Sequence, residues 1–143
     1  MVELRNTIAI DASPEAVWHV LGDLGATNEW LPGIVAARME GATRICTTAD
    51  GFDIREEISD YEPKLRRFRY QHLQVPMPVE NSAGSFVVEP QENDGSVVVL
   101  QSSFEAADSA QEAEVGQMIE GAFQRALESL KRRVEQGVRW DAK

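Results

Sequence analysis

Residues 109–135, SAQEAEVGQMIEGAFQRALESLKRRVE, decide the fold because they predict one long amphipathic helix. Ser109 and Glu112 have the spacing of a capping box, in which each side chain accepts from the other residue's backbone N–H. At about 1.5 Å per residue, the helix is on the order of 40 Å long and can cross a whole sheet. Its apolar stripe consists of Val115, Met118, Ile119, Ala122, Phe123, Ala126, Leu127, Leu130 and Val134.

The start of the chain predicts a strand followed by a short helix. Residues 2–10 alternate between apolar and polar side chains, as a half-buried strand does. Ser13 predicts a helix N-cap, and Pro14 suits the first helical turn because its missing N–H costs nothing there. Gly25 predicts the end of this helix, and residues 28–31 predict one further helical turn.

Between residues 34 and 106, short apolar stretches are separated by turn signals such as Asp-Gly. This spacing predicts antiparallel strands joined by hairpins. The whole order predicts an α+β fold in a single domain, residues 1–143, with the long helix across the concave face of a curved sheet. The strands after the first are expected at residues 34–40, 43–49, 53–61, 66–75, 84–89 and 96–106.

Side-chain size differs between the two halves of the long helix. The C-terminal half carries bulky apolar residues, whereas the N-terminal half carries Ala110, Ala113, Gly116, Gly121 and Ala122. We therefore predict an internal pocket between the sheet and the N-terminal half. In the alternative, the small residues only allow close packing, since protein cores contain few voids.

The charge of the chain argues against nucleic acid as a partner. With 24 acidic and 14 basic residues the formal net charge is −10, which repels phosphate backbones and anionic membranes. The basic run KLRRFR, residues 64–69, favours a solvated outer sheet face. No window approaches the ~20 apolar residues of a membrane span and no leader-like segment starts the chain, so a cytoplasmic location is expected.

Cysteine and histidine are too scarce for a metal or disulfide framework. Cys46 is the only cysteine and is expected to be a small buried hydrophobic residue, while His19 and His72 are the two histidines. The sequence contains no phosphate-binding glycine loop, GxSxG motif or HExxH motif. We therefore expect neither a metal nor a cofactor.

Strand alternation predicts which polar side chains face the concave side. The inward set contains Tyr70 and His72 on the fifth predicted strand and Glu56 on the fourth. If the connecting hairpin loops are odd in length, Glu56 lies opposite Cys46 on one neighbouring strand and opposite Tyr70 on the other.

Glu56, Tyr70 and His72 are the candidate catalytic residues. A carboxylate, a phenol and an imidazole within reach of one another can move protons to and from an enolisable carbonyl. Burial disfavours the charged form of Glu56 unless Arg44, Tyr70 or His72 pairs with it. In the alternative, Arg44 and Glu56 form an ion pair and His72 is hydrogen-bonded and inert.

Four stretches, spread in order over nearly the whole chain, resemble the polyketide cyclase/dehydrase and lipid transport family, which lies in the superfamily of START domains and birch pollen allergens. They are IDASPEAVWHVLGDLGATNEWLPGI (10–34), TRICTTADGFDIREEI (43–58), RFRYQHLQVPMPVENSAGSFVVEP (67–90) and GAFQRALESLKRRVE (121–135). The resemblance implies a helix-grip fold. In this fold a curved seven-stranded antiparallel sheet wraps around the C-terminal helix, two short helices follow the first strand, and a pocket lies between sheet and helix.

In such a fold the W-x-P-G turn implies that Trp30 is a partly buried lid residue at the pocket rim; alternatively, Trp30 plugs the core. The other expected ligand contacts are Arg44, Cys46, Thr48, Asn81, Ser102, Met118, Ile119 and Ala122. At four positions where relatives often carry a bulky apolar or aromatic residue, this chain has Cys46, Thr48, Ser82 and Leu100. The difference implies a roomier or more polar cavity here.

Three functions are compatible with these observations. The first is binding of a small hydrophobic molecule, such as a lipid, polyketide or aromatic metabolite, by a monomer or homodimer. The second is a polyketide cyclase, aromatase or dehydratase that uses the inward acid-base residues. The third is a protein-interaction module, which requires an exposed apolar patch outside the cavity.

Overall fold

The chain folds into one seven-stranded sheet with a long helix across it. The structure is a computed structural model that describes residues 1–140, so the last three residues of the predicted 1–143 domain lie outside the described residues. The strands are β1 (Val2–Ile10), β2 (Ile34–Glu40), β3 (Thr43–Thr48), β4 (Asp53–Glu62), β5 (Arg67–Gln74), β6 (Val79–Pro90) and β7 (Ser96–Ala106). The helices are α1 (Pro14–Leu21) and α2 (Glu112–Gln136), with 3₁₀ helices at Leu24–Glu29, Glu92–Asp94 and Ser109–Gln111.

Neighbouring strands are antiparallel and follow the order β1-β7-β6-β5-β4-β3-β2. The predicted helix-grip fold is therefore confirmed. The strand β6 begins at Val79, five residues before the predicted start at Gly84. This earlier start matters for the site because it brings Ser82 into the sheet.

The helix α2 is tied to the edge strand β1 by hydrogen bonds. Asn6 Nδ2 donates to the backbone oxygen of Glu120 at 3.2 Å and to Gln124 Oε1 at 3.0 Å. Lys131 Nζ donates to the backbone oxygen of Ala9 at 2.9 Å. These contacts fix the helix along the concave side of the sheet.

Two apolar clusters form the core, and Phe123 packs against both of them. The smaller cluster contains Phe104, Val115 and Ile119 and lies at the N-terminal half of α2. The larger cluster joins α1, the C-terminal half of α2 and the middle of the sheet, and includes Ile10, Val17, Leu21, Trp30, Ile58, Phe68, Tyr70, Phe86, Leu100, Leu127 and Leu130.

The start of α1 lies where the sequence predicted it, but its end does not. Ser13 caps α1 as predicted, its Oγ accepting from the backbone N–H of Ala16 at 3.2 Å. However, α1 ends at Leu21, before Gly22, and the predicted end at Gly25 is wrong because that residue lies inside the following 3₁₀ helix.

The predicted capping box at the start of α2 is also wrong. Asp108 instead caps the preceding 3₁₀ helix, its Oδ1 accepting from the backbone N–H of Ala110 at 3.0 Å, and the N-cap of α2 is Gln111, whose side chain makes no capping hydrogen bond. Ser109 lies inside the short 3₁₀ helix that precedes α2. Further along, Met118 is 48% exposed and so leaves the apolar stripe in which it was predicted.

The Pro-Gly pair makes the turn that leads into β2. The backbone N–H of Ile34 donates to the oxygen of Leu31 at 3.3 Å, and Gly33 has φ of 88°. Proline followed by a residue with positive φ is typical of a type II turn. The preceding Trp30 is only 2% exposed and belongs to the larger core cluster, as in the alternative in which it plugs the core.

The basic run forms part of the outer sheet face, as predicted. Arg67 is exposed and bridges Glu62 at 3.0 Å, and Arg69 is exposed and lies 4.0 Å from Asp60. Within residues 1–140, no helix has the length and apolar character needed to cross a membrane.

Candidate functional site

A row of four polar side chains crosses four neighbouring strands on the concave face. Arg44 on β3 is the register partner of Glu56 on β4, and Glu56 is the register partner of His72 on β5. His72 in turn contacts Ser82 on β6. We call Arg44, Glu56, His72 and Ser82 the polar row. Alternation within each strand explains this placement, because successive inward residues stand two positions apart.

Arg44 and Glu56 form a bidentate ion pair inside the protein. Arg44 Nε donates to Glu56 Oε1 at 3.0 Å and Nη2 donates to Oε2 at 3.2 Å, while the two side chains are 4% and 7% exposed. Arg44 Nη1 also donates to Thr27 Oγ1 at 3.2 Å. Burial alone would lower the pKa of Arg44, but the charge and hydrogen bonds of Glu56 outweigh it and the pKa is raised.

His72 lies between Glu56 and Ser82. Its Nε2 is 3.6 Å from Glu56 Oε2, and its Nδ1 is 2.7 Å from Ser82 Oγ. Burial lowers the pKa of His72 more than the nearby charge of Glu56 raises it, so the imidazole is neutral at pH 7. Since a carboxylate has no proton to donate, the ring proton belongs on Nε2 and Nδ1 accepts from the Ser82 hydroxyl.

Tyr70 continues the site beside the polar row. Its ring centroid is 5.1 Å from that of His72, and burial, followed by the charge of Glu56, raises the pKa of its phenol. The phenol lies over Gly84, its register partner on β6, where a β-carbon would overlap Tyr70 Oη and lie 2.6 Å from Tyr70 Cζ. Glycine at this position therefore makes room for the phenol.

Two buried polar atoms near this region have no hydrogen-bond partner among residues 1–140. Ser102 Oγ is on β7, opposite Gly84 of β6. Trp30 Nε1 belongs to an indole that makes a T-shaped contact with the Phe86 ring, at 6.5 Å between centroids. Ser102 is 7% exposed and Trp30 is 2% exposed. Unpaired buried polar atoms are rare in proteins, and each of these two has room in its hydrogen bonding for an ordered water or a bound molecule.

The predicted cluster of Glu56, Tyr70 and His72 does come together, but in a different register. Glu56 lies opposite Arg44 and His72, whereas Tyr70 lies opposite Ile58 and Cys46 lies opposite Ile54. The predicted pairings of Glu56 with Cys46 and Tyr70 were wrong by two residues, although the predicted inward face was correct. The cause on β4–β5 is irregular pairing at Arg55/Glu56 and Ser59/Glu62, which sequence alternation does not reveal.

The other predicted ligand contacts divide into three groups. Cys46 and Ile119 are buried, Ala122 is half-buried, and burial raises the pKa of the Cys46 thiol to about 11. Thr48 instead holds the β3–β4 turn, its Oγ1 accepting from the backbone N–H of Phe52 at 3.0 Å and contacting Asp50. The exposed residues are Asn81 and Met118.

The sequence analysis did not name Thr27, and it counted Ser82 only among the positions that imply a roomier or more polar cavity, not among the site side chains. Ser82 was placed outside the predicted strand, yet the alternation of Phe86 and Gly84 continues back to it and was the signal that could have found it. Thr27 lies in an irregular 3₁₀ helix, whose inward positions have no period to follow. Its hydroxyl donates to the backbone oxygen of Leu24 at 2.7 Å and accepts from Arg44.

Neither of two depressions in this part of the molecule is the internal pocket that the sequence predicted between the sheet and the N-terminal half of α2, because both open to solvent. A groove of about 690 Å³, open to solvent, runs between β1 and the N-terminal half of α2, beside Ala113 and Gly116. A second depression, of about 320 Å³, lies at the β5–β6 hairpin and is lined by His72 and Ser82 among others. Within residues 1–140, no three His, Cys, Asp or Glu side chains cluster as metal ligands would.

The polyketide cyclase/dehydrase and lipid transport family model matches residues 1–135. The chain belongs to this family. The chain also shares its fold with solved structures of low sequence identity, and that likeness concerns the fold alone. No match was found among curated proteins.

Three solved structures illustrate the shared fold. XoxI from Bacillus cereus is 24% identical, with a TM-score of 0.87 over 95% of this chain and 97% of that one. A START superfamily protein from Mycobacterium smegmatis is 16% identical, with a TM-score of 0.80 over 95% and 99%. The di-domain ARO/CYC BexL from the BE-7585A biosynthetic pathway is 20% identical, with a TM-score of 0.83 over 94% of this chain and 47% of BexL.

Proposed function

We propose that residues 1–143 form one ligand-binding domain that takes up a small, mainly apolar molecule carrying a hydroxyl or carbonyl group. The observation that carries this proposal is the Ser102 hydroxyl, which is buried on the concave face without a partner among the described residues. A buried hydroxyl left unpaired costs about 1–3 kcal/mol, so a ligand that pairs with it gains that free energy.

The surroundings of Ser102 support an apolar ligand body. Its neighbours in the same strand on the concave face are Leu100 and Phe104, which are each 1% exposed, and Phe86 and Tyr70 add aromatic surface on the adjoining strands. The polar row lies beside this apolar surface, and the opposite charges of Arg44 and Glu56 in it cancel. Such a site favours a neutral molecule with one or two polar atoms over an ion.

Native mass spectrometry of the purified protein tests the proposal by detecting a co-purified small molecule. Titration with Nile red, a neutral apolar dye, measures the same site in the emptied protein. Ser102→Leu fills the space at the hydroxyl and is expected to weaken dye binding at least tenfold. Ser103→Leu, on the opposite face of β7, is the matched control and leaves binding unchanged. Absence of any bound molecule together with equal dye affinity in all three proteins contradicts the proposal.

A second candidate function is acid-base catalysis on the α-carbon of a carbonyl compound. It is favoured by the neutral His72 imidazole and the protonated Tyr70 phenol standing 5.1 Å apart, centroid to centroid. Both carboxylate oxygens of Glu56 accept hydrogen bonds from Arg44, so we assign the role of proton acceptor to His72. Deuterium exchange at the α-carbon of an alkyl β-ketoester, followed by NMR, tests this: the wild type accelerates it and His72→Gln does not. Equal exchange in both proteins contradicts it.

A further inference from the structure

We propose that Ser82 is a nucleophile which takes an acyl group from an ester or thioester, with His72 as its general base. This step is distinct from reversible ligand binding and from proton transfer at an α-carbon. It uses a contact that neither of those functions requires, the short one between Ser82 Oγ and His72 Nδ1 at 2.7 Å.

The three side chains Ser82, His72 and Glu56 stand in the order hydroxyl, imidazole, carboxylate. The Ser82 hydroxyl donates to Nδ1, and the opposite ring nitrogen carries its proton toward Glu56 Oε2 at 3.6 Å. When His72 accepts the serine proton, the positive charge that forms faces the Glu56 carboxylate and is stabilised by it. Arg44 holds that carboxylate in place through two hydrogen bonds.

A β-bulge lies at Ser82, which faces inward by alternation with Gly84. The pairing of β6 with β7 shifts between Glu80 and Ala83, and Asn81 in this bulge has φ of 51°, in the left-handed region. Asn81 Nδ2 donates to Glu105 Oε2 at 2.7 Å, which fixes the unusual backbone conformation. Bulges and positive φ at non-glycine residues are concentrated where a side chain is aimed for function.

A substrate reaches this pair from the hairpin side. The depression of about 320 Å³ at the β5–β6 hairpin is lined by both His72 and Ser82, together with Gln74, Val79 and Asn81. Leu73, Val75 and Val79 form the apolar part of this lining and suit the short acyl chain of a small ester. A hydrogen-bond donor for the carbonyl oxygen stands on the same face, the phenol of Tyr70 over Gly84, two residues from Ser82 along β6.

The chemical step balances with water as the second reactant. Ser82 Oγ forms a bond to the carbonyl carbon while its proton passes to His72 Nδ1, and the bond from that carbon to the leaving oxygen or sulfur breaks. The leaving alcohol or thiol takes the proton from His72. Water, deprotonated by His72, then cleaves the acyl-serine ester and releases the carboxylic acid with the free serine.

A fluorophosphonate probe tests the nucleophile directly, because attack by serine displaces fluoride and leaves a stable adduct. The expected result is one adduct per chain, located by peptide mass spectrometry on Ser82 of the wild-type protein. His72→Gln is expected to slow labelling at least tenfold, and Ser85→Ala, which changes an outward serine of the same strand, leaves it unchanged.

Hydrolysis of p-nitrophenyl butyrate gives a second measurement in the same proteins. The wild type is expected to release p-nitrophenol at least tenfold faster than Ser82→Ala, with a rate that falls below pH 6.5 as His72 becomes protonated. Labelling of Ser82 no faster than that of Ser85, or labelling independent of His72, overturns the proposal. Nile red binding is measured separately, so failure here and failure of the binding proposal are distinguishable.

Discussion

Arg44 holds both carboxylate oxygens of Glu56, at 3.0 and 3.2 Å, in a pair that is more than nine-tenths buried. Removing one charge leaves the other without compensation in a region of low dielectric constant. The pair therefore contributes to the fold as well as to the site, and a change at either residue has to be judged on stability first.

Glu56→Gln is expected to lower the free energy of unfolding by about 3–5 kcal/mol, because Arg44 stays buried without a counter-charge. Glu57→Gln is the matched control, since Glu57 is exposed on the opposite face of β4, and it changes stability by less than about 0.5 kcal/mol. Urea unfolding followed by circular dichroism measures both. Equal midpoints for the two variants are incompatible with an ion pair at the positions described.

Gly84→Ala is expected to destabilise the protein by about 1–3 kcal/mol, because the new methyl group overlaps the Tyr70 phenol and lies 2.6 Å from the backbone oxygen of Gln101. Gly25→Ala provides the comparison, since a β-carbon there has no neighbour within 4 Å. Unfolding midpoints of the two variants in urea check the prediction. A Gly84→Ala protein as stable as Gly25→Ala means that the phenol does not lie over β6.

Ser102→Ala is expected to leave the stability of the ligand-free protein unchanged or to raise it by up to about 1 kcal/mol, because the variant removes a buried hydroxyl without a partner in the described chain. Ser96→Ala provides the contrast. Ser96 is fully buried and donates to the backbone oxygen of Ala12 at 2.7 Å, so its loss costs about 1 kcal/mol. If Ser102→Ala loses as much stability as Ser96→Ala, the Ser102 hydroxyl has a partner within the protein.

The pH dependence of stability is expected to report on His72. Burial holds its pKa below the usual 6.5, against the charge of Glu56, so the unfolded chain binds the proton more readily than the folded one. Stability is therefore full above pH 6.5 and decreases as the pH falls toward the folded-state pKa. The groups that face the ring are Glu56, Arg44, Tyr70 and Ser82.

His72→Gln is expected to flatten this decrease below pH 6.5, measured as the urea midpoint at each pH. His19→Gln, which alters the exposed second histidine, keeps the wild-type slope. The same slope in His72→Gln and the wild type contradicts a neutral buried imidazole. NMR titration of the His72 ring protons provides an independent value for its protonation.

The sequence predicted the sheet, the long helix and the inward face of each site strand because these follow from periods of two and 3.6 residues. Register does not follow from a period. Glu56 was assigned the correct face but the wrong partners. On β5 the cause is two irregularities in the β4–β5 pairing, and on β3 the cause is a turn longer than assumed, because Thr47 rather than Ala49 pairs with Asp53. Ser82 was named only as a cavity position, and its place in β6 was not predicted because Pro76 and Pro78 precede the strand and Asn81 has a left-handed backbone conformation.

Side-chain contacts were also beyond the sequence. Trp30 was expected at a rim or in the core, and only the packing of its indole against Phe86 places it in the core. Thr48 was expected near a ligand but holds a turn instead. Such outcomes depend on distances between strands that are far apart along the chain, which no local pattern encodes.

The polar row also favours one register between the strands during folding. A one-residue shift in register at any of the three hairpins between β3 and β6 would turn one residue of the polar row outward. Its neighbours in the row would then stay buried without their counter-charge or hydrogen-bond partner. Misaligned sheets are thereby penalised much more than they would be if the same positions were all leucine or valine. The register that pairs the hairpins correctly is thus also the one that forms the ion pair and the hydrogen bonds of the polar row.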